Sequence, residues 1–212
     1  MALLIFDIDG VLVDSSQQTV EVIKNLLAPF PQLKEITQQQ INHTFGMSEE
    51  DMWAFLMPGF PFEKRKEISR SYDEEIVKAL KECDVLLPHV KSILAAFRKA
   101  GYILTTASNC GIPYLNAILD TQGIRKYFED PQCLESVKGK KKADIIAYHS
   151  KKYPKEKLYM IGDRKTDIEA AEELKIPAIG CKSQFTRDGE LEGACYKINN
   201  ISEILDLITI LQ

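Results

Sequence analysis

The feature that most constrains this chain is an apolar run near its start that ends in two aspartates. Leu3–Phe6 is apolar at every position, which is typical of a strand buried on both faces of a parallel sheet. Asp7 and Asp9 follow, and because side chains alternate along a strand, we expect both on one face. Gly10 then permits a sharp backbone exit. Since sites in open α/β sheets form beyond the carboxyl ends of strands, these aspartates mark a predicted site.

Two neighbouring carboxylates repel each other unless a cation compensates their charge. A divalent ion with oxygen ligands, most simply Mg²⁺, would do so. The sequence Asp-x-Asp-Gly also occurs in surface turns and in calcium loops. The buried run before it argues against a turn, and a calcium loop needs polar ligands where this chain has Val11 and Val13.

Composition and charge exclude several classes of protein. The 212 residues are 45% hydrophobic and 27% charged, as in globular proteins with a sizeable core. A net charge of −4 gives no general attraction to nucleic acid or anionic membranes. Five scattered cysteines predict reduced thiols, and we expect a cytoplasmic protein without secretory signal or membrane helix. We expect a monomer or a weak homodimer.

The pattern along the chain predicts an α/β protein with an insert. Strands alternate with helices in most of the chain, which favours a Rossmann-like parallel sheet with helices on both sides. Residues 15–85 instead have helical patterns, with Ser15 or Ser16 as a candidate first cap. We predict a core of residues 1–14 and 86–212 and a helical insert of residues 15–85.

Two later strand patterns also end in polar residues. One ends in Ser108 and Asn109, and the other ends in Asp163 of a Gly-Asp pair. In the helix after the second strand, Thr166 and Glu169 have capping-box spacing, which would explain them without a function. Capping does not explain Asp163 at a strand end.

A lysine-rich run, residues 138–142, precedes another helical pattern. Such a run usually forms a solvated surface and is also similar to a nuclear-localisation patch.

Taken in order, these segments resemble the four motifs of the haloacid dehalogenase-like hydrolases. The resemblance is to subfamily I, whose phosphoglycolate phosphatase-like and β-phosphoglucomutase-like members carry a helical C1 cap after the first strand. It implies a Mg²⁺-dependent phosphatase whose cap is the helical insert. It covers essentially the whole chain.

The resemblance also implies roles for the motif residues. Asp7 would be the nucleophile that forms an aspartyl-phosphate, and Asp9 the general acid and base. Ser108 would donate to a phosphate oxygen, with Asn109 and Gly10 as further substrate-binding positions.

The metal would be bound by the side chains of Asp7 and Asp163 and the backbone carbonyl of Asp9. Asp167 would support the site, and Arg164 would be structural or exposed.

The motif-three lysine has two candidates. One family pattern, Lys-Pro-x-Pro-Asp, selects Lys140, and a second, with lysine two residues before an acidic residue at the helix start, selects Lys142. The run contains no proline, so we prefer Lys142.

Alternatives remain open at this point. A phosphomutase acting on a sugar phosphate would share every core residue, and a phosphonate hydrolase would need a cap lysine such as Lys24 or Lys34. A non-catalytic binding module is a third possibility, whereas Asp9 argues against a dehalogenase. Because a lid can close over Asp7, we expect a small phosphorylated metabolite as substrate.

Overall fold

The structure is a computed structural model and describes residues 2–31, 33 and 36–207. Its strands are all parallel and form one sheet in the order β3-β2-β1-β4-β5-β6. The strands are β1 (Ala2–Phe6), β2 (Ile103–Ser108), β3 (Gln132–Cys133), β4 (Lys157–Gly162), β5 (Ala178–Cys181) and β6 (Tyr196–Ile198). The helices are α1 (Ser16–Leu27), α2 (Gln38–Thr44), α3 (Glu49–Leu56), α4 (Phe62–Lys81), α5 (Val90–Lys99), α6 (Ile112–Thr121), α7 (Lys142–Lys152) and α8 (Lys165–Glu173). The predicted α/β, Rossmann-like class is confirmed.

Strand β1 lies at the centre of the sheet because it is apolar on both faces. Leu4 and Phe6 belong to one hydrophobic cluster, and Leu3 and Ile5 to a second on the opposite face. All four side chains are fully buried. The chain reverses its direction of winding between β1 and β4, and this position is where ligand sites form in doubly wound sheets.

Helices α1 to α4 follow β1 and contact one another, and α4 also packs against α6. The chain enters and leaves this helical segment at adjacent points. Val13 forms an antiparallel bridge with Leu86, and the Asp14 amide donates to the Val85 carbonyl at 2.8 Å. Because this pairing joins the two connections, the helices are held above the carboxyl end of β1.

Several local expectations differ from the structure. Of the two candidate caps, Ser15 does occupy the N-cap position of α1, but its side chain makes no capping hydrogen bond because its hydroxyl donates to Asp9. The short strand β3 has no counterpart in the sequence prediction. At the end of the chain the sequence predicts a helix with Ile201, Ile204, Leu205 and Ile208 on one face; the structure has a 3₁₀ helix, Ile201–Leu207, and Ile208 lies outside the described residues.

Candidate active site

Asp7 lies directly after β1 with its carboxylate buried. One oxygen, Oδ1, accepts from the Ile8 amide at 2.8 Å, and Oδ2 lies 2.8 Å from the Lys142 ammonium. Burial raises the pKa of Asp7 above its usual value, while the charge of Lys142 opposes that rise. The carboxylate therefore sits in a desolvated position with one face against a cation.

Asp9 is placed by a turn rather than by the strand. Strand β1 ends at Phe6, and the amide of Leu12 donates to the Ile8 carbonyl, so the expected strand alternation does not extend to Asp9. Both aspartates nevertheless line one pocket.

The carboxylate of Asp9 is held by two hydroxyl groups. Its Oδ1 accepts from Tyr114 at 2.6 Å and from Ser15 at 2.8 Å. Burial raises the pKa of Asp9, and these two hydrogen bonds oppose the rise. The pair of donors fixes the orientation of this carboxyl group.

Three buried carboxylates converge at the carboxyl-terminal ends of the central strands. Oxygens of Asp7, Asp163 and Asp167 all lie within 4.8 Å of one another. The pKa of Asp163 is raised well above its usual value, first by burial and then by the charges of the other two. Its Oδ2 accepts from the Ser183 hydroxyl, whereas its Oδ1 is buried without a hydrogen-bond partner among the described residues. Hard oxygen donors with an unpartnered buried oxygen fit a divalent cation.

Two glycines make this convergence possible. Gly10 has a φ of 77°, and a Cβ there would overlap the Asp163 carboxylate. A Cβ on Gly162 would likewise overlap the carboxylate of Asp167.

Of the two lysine candidates, the structure brings only Lys142 to the carboxylates. Its buried ammonium contacts Asp7 and also donates to Asp167 Oδ1. Although burial opposes charge, Asp167 and Asp7 together raise the pKa of Lys142. The side chain of Lys140 is exposed, and its backbone amide donates to Asp144 at 2.7 Å. The lysine-rich run is therefore mostly solvated surface with one buried member.

Asp167 bridges the ammonium and the start of α8. Its Oδ1 accepts from Lys142 and its Oδ2 accepts from the Arg164 amide at 2.9 Å. Asp167, rather than Thr166 with Glu169, therefore caps this helix, so the expected capping box is wrong. Burial raises the pKa of Asp167 to about 6.

Ser108 is the last residue of β2 and Asn109 follows it, and both line the same pocket. Ser108 is buried. The amide group of Asn109 donates to the carbonyl of Gly46 at 2.8 Å, so its nitrogen contacts the helical insert.

Sequence reasoning missed several residues of the site. Tyr114 reaches Asp9 from α6, Ser15 reaches it from the position just before α1, and Ser183 reaches Asp163 from the loop after β5. Ser15 follows the first motif by a few residues, whereas Tyr114 and Ser183 belong to no motif, so no signal in a single sequence identifies those two.

Arg164 was expected to be structural or exposed, and it is buried and connects the insert to the core. It donates to the Phe45 carbonyl, and its Nε lies 2.9 Å from a Glu190 carboxylate oxygen. Phe45 also stacks on Phe185 with ring centroids 4.4 Å apart. These contacts hold the loop after α2 against the core.

Comparisons with known proteins agree with this architecture. The sequence profile of the haloacid dehalogenase-like hydrolases matches residues 4–181. The phosphoglycolate phosphatase of Synechococcus elongatus is 25% identical, in an alignment that covers 99% of this chain and 98% of that protein. The phosphoglycolate phosphatase of Pasteurella multocida is 26% identical, in an alignment that covers 82% of this chain and 83% of that protein.

Solved structures share the fold. A predicted phosphoglycolate phosphatase from Haemophilus somnus superposes with a TM-score of 0.86 at 22% identity, covering 98% of this chain and 97% of that one. CbbY from Rhodobacter sphaeroides, in complex with phosphate, superposes with a TM-score of 0.82 at 19% identity and 96% coverage of each. The chain belongs to the haloacid dehalogenase-like hydrolase family, and it is an enzyme of the phosphatase class.

Within residues 2–31, 33 and 36–207, no helix has both the length and the apolar character needed to cross a membrane.

Proposed function

We propose that this enzyme is a Mg²⁺-dependent phosphatase that hydrolyses a small phosphorylated metabolite through an aspartyl-phosphate on Asp7. The observation that carries the proposal is the position of the Asp7 carboxylate. It lies 2.8 Å from the Lys142 ammonium and within 4.8 Å of oxygens of Asp163 and Asp167, in a pocket that also holds Asp9. A nucleophile, a cation and a second carboxyl group therefore face one space.

Each group has a defined task in the proposed reaction. An Asp7 oxygen attacks phosphorus in line, and the bond to the leaving oxygen breaks. Asp9, held by Tyr114 and Ser15, gives a proton to that oxygen and later removes one from the water that hydrolyses the acyl phosphate. Lys142 and the Ser108 hydroxyl stabilise charge on the phosphoryl oxygens.

The metal would supply further positive charge at the phosphoryl oxygens. We propose Asp7, Asp163 and the backbone carbonyl of Asp9 as its ligands. The unpartnered Asp163 Oδ1 supports this choice, whereas both Asp167 oxygens already accept hydrogen bonds, so Asp167 fits a supporting role.

The substrate proposal rests on the enclosure of the pocket. Residues of the helical insert and of the core line it together, so a substrate has to fit between them. We propose residues 15–85 as a cap domain over the core of residues 1–14 and 86–212. Relatives named phosphoglycolate phosphatase, and a CbbY structure containing xylulose-(1,5)bisphosphate, support the small phosphorylated class.

Phosphate release from an aryl phosphate tests the proposal. We expect release in Mg²⁺, loss in chelator and return when Mg²⁺ is restored. Asp7→Asn should abolish turnover while the protein remains folded. Full activity in chelator would contradict the metal role, and more than a few per cent of turnover in Asp7→Asn would contradict the nucleophile. A sugar phosphate converted without release of inorganic phosphate would indicate a phosphomutase.

A further inference from the structure

The wall that the helical insert contributes to the pocket carries a negative charge and, among its described residues, no positive charge. Its described lining residues are apolar, hydroxyl-bearing or glycine, with Glu49 as the exception. These residues are Thr19, Thr44, Phe45, Gly46, Met47, Glu49, Met52 and Tyr72. The Glu49 carboxylate is therefore the one charged group on this wall that a substrate extending toward the insert would encounter.

The cations of the pocket are already engaged. Among its described lining residues only Lys142 and Arg164 carry positive charge. The ammonium of Lys142 lies against Asp7 and Asp167. The guanidinium of Arg164 binds the Glu190 carboxylate and the carbonyl of the loop after α2. No cation among the described lining residues remains for a second anionic group of a substrate.

No cation in the described part of the chain compensates Glu49. Its Oε2 accepts from the Ser69 hydroxyl at 2.6 Å, and none of the described ion pairs includes it. Two acidic side chains act on it: Asp73 forms a hydrogen bond with it, and Glu135 lies near enough to repel its charge. Burial raises the pKa of Glu49 and the charge of Glu135 adds to that rise, whereas the hydrogen bonds from Ser69 and Asp73 oppose it. An additional anion brought to this wall would meet like charge in a partly desolvated place.

Building on the proposed function, we infer that the pocket selects phosphomonoesters whose leaving group has no second anionic group and presents a hydroxyl or ammonium donor to Glu49. The phosphoryl end would be neutralised by Lys142 and the metal, and the other end would donate to the Glu49 carboxylate. This specificity differs from that in the name of the phosphoglycolate phosphatases, whose substrate carries a carboxylate.

Three esters of nearly equal size test the inference. Aminoethyl phosphate, hydroxyethyl phosphate and phosphoglycolate differ mainly in a terminal ammonium, hydroxyl or carboxylate. We expect kcat/KM to fall in that order, with phosphoglycolate about 100-fold below aminoethyl phosphate, because like charges placed together are costly. Inhibition of aryl phosphate hydrolysis by each ester should follow the same order. Equal values, or a preference for phosphoglycolate, would overturn the inference.

A matched pair of variants separates Glu49 from general charge effects. Glu49→Gln keeps a hydrogen-bond acceptor for Ser69 but removes the charge, and we expect the 100-fold ratio to shrink by roughly tenfold or more. Glu50→Gln removes the same charge from the same first turn of α3, at an exposed residue that does not line the pocket. It should leave the ratio unchanged, and equal effects of the two variants would overturn the role of Glu49.

The outcomes also distinguish failure of the inferred specificity from failure of the proposed phosphatase function. Phosphate release that depends on Asp7 but favours phosphoglycolate refutes only the specificity. Absence of aryl phosphate hydrolysis in Mg²⁺ refutes the proposed function, and the specificity with it.

Discussion

Replacing Lys142 with methionine should affect both stability and catalysis. The ammonium is buried, lies 2.8 Å from Asp7 Oδ2 and also donates to Asp167. Removing one partner of a buried ion pair leaves uncompensated charge and costs about 3–5 kcal/mol. Since folded domains are stable by about 5–15 kcal/mol in total, this loss is large.

The loss of activity should be greater than the loss of stability can explain. A preorganised group that stabilises transition-state charge is typically worth about 10²–10³ in kcat. We therefore expect Lys142→Met to lose at least that factor under conditions in which it remains folded. Because a bound cation would partly compensate the freed carboxylates, its free energy of unfolding should fall less in Mg²⁺ than in chelator.

Urea unfolding and phosphate release measure the two effects. The matched controls are Lys140→Met and Lys141→Met, since Lys140 is exposed and Lys141 forms an exposed ion pair with Glu173. Both controls should unfold at the same urea concentration as the parent and keep its activity, because exposed charges contribute little to stability. A loss of activity in Lys140→Met with little change in Lys142→Met would refute the reasoning and favour the other lysine.

Two further predictions concern a backbone position and a buried imidazole. Gly10→Ala should reduce activity and cost more than the roughly 1–2 kcal/mol of a left-handed alanine, because its Cβ would overlap Asp163. Gly59→Ala, at a similar φ but in open space, should show only the backbone cost. Burial lowers the pKa of His149 below 6.5, and its Nε2 faces the Thr106 carbonyl at 3.0 Å. On acidification the unfolded chain therefore protonates His149 before the folded protein does, and this favours unfolding. The stability that neutral His149 contributes is fully present above the unfolded-state pKa of 6.5, and it is lost as the pH falls from there toward the folded-state pKa. His149→Gln should reduce the acid-side slope of unfolding free energy by up to about 1.4 kcal/mol per pH unit.

Unfolding free energies measured at several pH values check the imidazole prediction. Carboxylates with raised pKa contribute to both proteins alike, so the difference between parent and variant isolates His149. Parallel curves below pH 6.5 would contradict it. For the glycine pair, equal losses at the two positions would show that the Asp163 contact is unimportant.

The parts of the site that local sequence predicts are those fixed by strand ends and helix starts. An apolar run identifies β1, and the residue after it, Asp7, is necessarily at the carboxyl edge of the sheet. In the same way, Lys142 is the first residue of α7, so its position depends on a helix start that the pattern predicts.

Other features depend on contacts between distant segments. Tyr114 and Asp9 are 105 positions apart, and nothing local to either residue indicates that they meet. Strand β3 has only two residues, and it is defined by pairing with β2 rather than by its own pattern. The Ser15 hydroxyl had two possible partners, and the carboxylate of Asp9 outcompetes the helix amides.

The most direct test of the central claim is detection of the phosphorylated enzyme. Asp9→Asn removes the proposed base that activates water, while an aryl phosphate has a leaving group good enough to depart without its proton. Acid-quenched Asp9→Asn enzyme, analysed by peptide mass spectrometry, should carry one phosphoryl group on Asp7. The double variant with Asp7→Asn should carry none. Phosphorylation of a different residue, or phosphate release in the parent with no phosphorylated Asp7 in the Asp9→Asn enzyme, would contradict the account.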